Sequence, residues 1–125
     1  SKVDVANYHN FAMRILFKHG YSLNPEFVHL SEFKIVDESS HYIDSFITSA
    51  DSDKLKKVDE AVKISDKERL IAGLDDYWEI LNKKLISNHT ITYNGILISA
   101  IKLLRKNQIS SFYKKYYQMI LLILD

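Results

Sequence analysis

The sequence predicts an all-α single domain, a bundle of six or seven short helices around one central apolar helix. Three observations carry that prediction. The 19-residue stretch Ile86–Leu104 holds one formal charge, Lys102. From Ile96 to Leu104 it is apolar on nearly every side of a helical wheel, the pattern of a helix enclosed by others. Only three glycines and one proline occur in 125 residues, fewer than hairpins and barrels need for their turns. Elsewhere apolar residues recur at intervals of three and four, with no convincing strand, repeat or linker.

Asp4 can cap a first helix whose face is Val5, Tyr8, Ala12, Ile15, Leu16 and His19. Gly20 is expected to end it as a left-handed residue. Asn24-Pro25-Glu26 reads as a helix start, with Asn as cap and Pro at the first helical position. Phe27, Leu30 and Phe33 mark its turns, and the apolar face fades after Val36. Ser39-Ser40 breaks the chain. Tyr42, Ile43, Phe46 and Ile47 then suggest a short amphipathic helix, closed by Asp51-Ser52-Asp53, which also offers caps for the next. Leu55, Val58 and Val62 form a thin stripe on a lysine-rich helix.

Ser65-Asp66-Lys67-Glu68 has the form of a capping box, with Ser65 as cap and Glu68 reaching back. The helix it opens carries Leu70, Leu74, Tyr77, Trp78, Leu81 and Leu85 on one face, and Glu79 and Lys83 form a favourable pair on the other. A turn over Ser87–Thr90 leads into the central helix, predicted over Thr92–Lys106. Asn107 and Gln108 break it. Ile109, Phe112, Tyr113, Tyr116, Ile120 and Leu124 pattern a last helix. Connections of two to six residues make most sequential helices antiparallel neighbours.

A chain of 125 residues has the length of one domain, 1–125, and can bury a core without staples. There are no cysteines, which removes disulfides, thiolate metal sites and cysteine nucleophiles and fits a reducing compartment such as the cytoplasm. No signal peptide or targeting pattern is visible at the start. The central apolar run is interrupted by Asn88, His89, Thr90 and Asn94 and is too short to span a bilayer. Histidines at 9, 19, 29, 41 and 89 fall into no metal-ligand spacing. Asp37-Glu38 and Asp75-Asp76 are adjacent carboxylates, which point about 100° apart on a helix and read as solvated charges. No Gly-rich phosphate loop or nucleophile elbow occurs. Asn88-His89-Thr90 fits the glycosylation triplet but reads as part of the turn before the central helix. The sequence therefore predicts no enzyme, no catalytic residue, no cofactor and no metal.

Net charge is +1 overall, yet unevenly spread. Residues 1–85 hold 12 basic and 15 acidic side chains. Residues 86–125 hold Lys102, Arg105, Lys106, Lys114 and Lys115 against Asp125 alone. Those five cations, with Tyr113 or Tyr117 to stack on a base, define an alternative reading as a helical nucleic-acid-binding subunit. The leading reading is a protein-binding module. Tyr8, Phe11, Phe17, Tyr42, Phe46, Tyr113 and Tyr117 exceed what one small core hides, and exposed aromatics on a helical scaffold point to a protein partner. Met119–Leu124 is six apolar residues in a row, more than one buried stripe uses. The expected surface joins Leu121 and Leu122 to Tyr8 and Phe11, for a foreign partner or a second copy of the chain.

Lys63–Leu74 (KISDKERLIAGL), a helix bearing Tyr77 and Trp78, a short polar turn, and Ala100–Leu104 (AIKLL) before a final helix from Ile109 together resemble the poxvirus Bcl-2-like immunomodulators. The resemblance covers about residues 60–125. It implies a Bcl-2-like bundle and a virus-encoded cytosolic inhibitor that sequesters a host protein of innate-immune (NF-κB-type) or apoptotic signalling. Asn94-Gly95 is not followed by the Trp-Gly-Arg arrangement of the cellular family's groove, so the arginine that meets a death-motif aspartate is missing. That departure favours innate-signalling interference over apoptosis inhibition. A toxin–immunity type binding protein would share these features.

Overall fold

Four α-helices, two short strands and several tight turns make up this computed structural model, which describes the backbone of residues 2–107 and the side chains of residues 8–106. The helices are α1 (Lys2–His19), α2 (Ser49–Lys63), α3 (Lys67–Ile80) and α4 (Tyr93–Asn107). The strands are β1 (Lys34–Val36) and β2 (Thr90–Thr92). The predominantly helical class holds. The strands were not expected, and the stretch read as two short helices between 24 and 48 is built from 3₁₀ turns and β1 instead.

The first helix buries Ala12, Ile15 and Leu16, the stripe its spacing predicts. Gly20 follows it but is not left-handed; no described glycine has a positive φ. Gly20 opens a 3₁₀ turn, and a Cβ there would sit 3.1 Å from Phe27, so close packing is what calls for glycine. The Asn24-Pro25 start is as read: the Asn24 side chain accepts from the Glu26 amide at 2.9 Å. It opens a 3₁₀ segment, Pro25–Glu32, that kinks at His29 rather than an α-helix.

The chain then extends. β1 runs parallel to β2, with Lys34 opposite Thr90 and Val36 opposite Thr92. His89, left-handed at φ 47, aims its carbonyl at the Lys34 amide, 2.9 Å away. Three-residue strands are too short to show alternation, and β2 spans the junction between the turn expected over Ser87–Thr90 and the helix expected from Thr92. Tyr42–Ile47 forms only one 3₁₀ turn, His41–Ile43, which buries Ile43.

A capping box begins α2: Thr48 accepts from the Asp51 amide, and Asp51 accepts from the Thr48 amide. Asp51 thus takes the capping role that the sequence offers it for this helix. Leu55, Val58 and Ala61 are its buried stripe. The predicted Ser65 cap is shifted by one residue. Asp66 accepts from the Arg69 amide at 3.1 Å, while Ser65 is left-handed at φ 55. Gly73 lets α2 and α3 approach, since a Cβ would lie 2.8 Å from a Val58 methyl. Beyond Ile80 the helix widens into a π turn, Leu81–Leu85, then tightens into a 3₁₀ turn, Ile86–Asn88.

The central helix is where the sequence places it. Thr92 caps it, accepting from the Gly95 amide at 2.9 Å. Ile96, Leu97, Ile98, Ala100, Ile101, Leu103 and Leu104 are all buried, and both α1 and α3 pack against α4. Each large side chain so buried stabilises the fold by roughly 1.5–3 kcal/mol. Ser99 Oγ is buried among them and finds no hydrogen-bond partner among the described residues.

Candidate functional site

Three features stand apart from the apolar core: a largely buried polar cluster, a set of exposed aromatics and a basic cleft. The polar cluster forms where the loop after β1 meets α2, α3 and the start of α4. Tyr77, on the buried face of α3, donates its phenol to Glu38 Oε1 at 2.6 Å and pairs with the Thr92 hydroxyl. Asn94, the second residue of α4, donates to Asp59 of α2 at 2.7 Å, and Lys63 pairs with Asp59 at 2.9 Å. Glu38 is 5% exposed, against the expectation of a solvated charge. Burial pushes its carboxyl above the usual range; the Tyr77 hydrogen bond pulls it back in part, and the nearby Asp59 pushes it up. Burial, then Glu38, push the Tyr77 phenol well up, so it stays protonated. A donor chain from Gly95 N–H through Thr92 and Tyr77 to Glu38 satisfies each group. Glu38, Tyr77 and Thr92 are all buried, so the chain fastens the loop and offers nothing to a substrate. The sequence signal was a Tyr on the apolar face of a helix, whose hydroxyl needs a buried partner.

The aromatics divide. Tyr8 and Phe11, expected in the partner surface, are half-buried against the core. Leu121 and Leu122, and with them Lys114 and Lys115, lie outside the described residues, as does the predicted last helix. Phe17 is 57% and Tyr21 61% exposed. Phe17 lies on the side of α1 opposite Ala12, Ile15 and Leu16, flanked by exposed Arg14 and Lys18, and Tyr21 lies in the 3₁₀ turn Gly20–Ser22 that follows the helix. Tyr42 is also exposed; it meets the Phe46 ring edge-on at 5.8 Å and carries the Lys34 ammonium 4.1 Å above its centre. Phe46 itself is half-buried.

The basic residues that are described come together. Lys102, Arg105 and Lys106 line an open cleft of about 420 Å³ with Asp75, Trp78 and Leu23. Lys102 reaches Asp75 at 3.0 Å, and Lys106 donates to the Ser22 carbonyl at 3.1 Å.

Among the described residues no three His, Asp or Glu side chains converge as metal ligands, and no helix is long and apolar enough to cross a membrane. His89 is engaged instead with Glu26 and stacks on Phe33 at 5.1 Å. The chain matches no family model, no curated protein and no solved structure.

Proposed function

We propose that this chain is a non-enzymatic protein-binding module. The observation that carries this reading is the exposure of two aromatics, Phe17 on the outer face of α1 and Tyr21 in the turn that follows it. Neither ring contributes to a closed core, and each exposes apolar area that a partner would cover. Arg14 and Lys18 beside them suit an acidic rim on the partner. The resemblance to poxvirus Bcl-2-like immunomodulators gives the reading a biological form: a viral, cytosolic protein that sequesters a host signalling protein, with innate-immune signalling favoured over apoptotic. Enclosure of α4 by α1 and α3 supports that kind of bundle. Tyr8 and Phe11 with Leu121 and Leu122 remain the proposed extension of the surface.

The test compares the full chain with a Phe17→Ala/Tyr21→Ala variant in affinity purification from host-cell lysate, followed by mass spectrometry. A defined set of proteins retained by the parent and lost by the variant, at equal unfolding midpoint, is expected. Identical capture by both removes the surface. Light scattering separates the two kinds of partner, because self-association through this face gives a dimer that the double variant converts to monomer.

A further inference from the structure

We propose that the cleft between α3, α4 and the turn after α1 is a nucleotide site, which takes a phosphate on its cations and a base on Trp78. This inference is independent of the protein-binding reading and uses a different surface.

The cleft is built by helical spacing. Lys102, Arg105 and Lys106 fall at i, i+3 and i+4 and share one face of α4; Asp75 and Trp78 share one face of α3. Two of the cations are held in place. Lys102 is anchored by one hydrogen bond to Asp75 and Lys106 by one to the Ser22 carbonyl. An ammonium has three donors, so each keeps donors to offer. Arg105 is exposed and has no ion pair among the described residues, which leaves its planar fork of donors available for a phosphate.

Helix C-termini attract cations without any ligand, so the balance of charge decides whether an anion is still favoured. Three cations, less Asp75 and less the half-charge of a helix C-terminus, leave about +1.5 at the mouth of the cleft. The field therefore favours an anion. A carboxylate would use that charge as well as a phosphate would. What singles out a nucleotide is the wall. Trp78 is half-buried and fixed against the core, yet lines the opening, and an aromatic face beside cations is how a base and its phosphate are held together. A volume of about 420 Å³ also suits one small-molecule unit rather than a folded peptide segment.

Trp78 is the chain's single tryptophan, so its fluorescence reports this site alone. The full chain is titrated at low and at physiological salt with adenosine monophosphate, with octathymidylate and with pyrophosphate; poly-glutamate serves as the acidic-peptide probe. Quenching by either nucleotide probe is expected, weakened about tenfold by Arg105→Glu and by salt. Trp78→Phe should preserve affinity, read by anisotropy of a labelled probe, whereas Trp78→Leu should lose about fivefold or more. Comparable binding of both nucleotide probes assigns the site to free nucleotides; a strong preference for octathymidylate assigns it to single strands. The proposal is overturned if no probe changes the fluorescence at low salt. It is equally overturned if pyrophosphate or poly-glutamate binds as tightly as the nucleotides, or if Arg105→Glu, folded by circular dichroism, binds like the parent.

Discussion

Replacing Tyr77 by Phe removes one oxygen and tests the buried polar cluster directly. The ring and its packing stay; the donor to Glu38 and the partner of Thr92 go. A hydrogen bond to a charged group contributes about 1.5–3 kcal/mol and a neutral one about 0.5–1.5. With Glu38 ionised, the variant should therefore lose about 2–4.5 kcal/mol. The loss must depend on pH. In the fold, burial makes Glu38 hold its proton more tightly than in the unfolded chain. Its contribution to stability is thus fully present in acid and is lost as pH rises through the folded-state value. Tyr77 lowers that value, so its removal raises it further and steepens the decline. In acid, where Glu38 is protonated, both lost bonds are between neutral groups and the cost should fall to about 1–3 kcal/mol. Urea titrations of parent and variant at a series of pH values, followed by circular dichroism, measure this. Glu38→Gln should flatten the parent's pH dependence, and in that background Tyr77→Phe should cost the same at every pH. A pH-independent loss in the parent background, or one below about 0.5 kcal/mol at neutral pH, would refute the reasoning.

Three further outcomes follow from single sites. Leu97→Ala, in the enclosed central helix, should lower stability by about 2–5 kcal/mol in the same titration. Asp66→Ala should cost about 0.5–2 kcal/mol by freeing the Arg69 amide, while Ser65→Ala should leave that cap intact; the reverse order of unfolding midpoints would place the cap at Ser65. Ser99→Ala should gain about 1 kcal/mol, because it deletes a buried hydroxyl without a partner among the described residues, and a lower melting temperature would contradict that account.

The elements legible in the sequence were those with long periodic signals. Leu70, Leu74, Tyr77, Leu81 and Leu85 repeat over several turns, and the uncharged run in α4 leaves few alternatives to burial. Local signals were weaker where one residue decides. Ser65 and Asp66 both offer a capping oxygen, and the choice rests on the left-handed turn that Ser65 takes. Gly20 looked like a helix terminator because glycine usually is, whereas its reason is the Phe27 ring, a contact seven residues away. Glu38 could not be read as buried, since its hydrogen-bond partners Tyr77 and Asn94 are brought to it only by the assembled bundle. The basic cleft was half legible: its cations were visible as a cluster, but Trp78 as their neighbour depends on how α3 crosses α4.

The parallel strand pair bears on the order in which the chain assembles. Lys34 and Thr90 meet across 56 positions, and everything between them, including the whole α2–α3 hairpin, must be accommodated in the closed loop. Closing a flexible loop of that length costs about 3–4 kcal/mol in chain entropy, against only three residues of pairing to offset it. The pair cannot nucleate folding. The α2–α3 hairpin, whose contacts are close in sequence, can form early and shorten the effective loop before the strands meet. Weakening the strands, as by Ile91→Val, should then speed unfolding and leave the folding rate nearly unchanged, whereas Val58→Ala at the α2–α3 crossing should slow folding. On that account the clasp between β1 and β2 acts as a late lock on a helical assembly already in place.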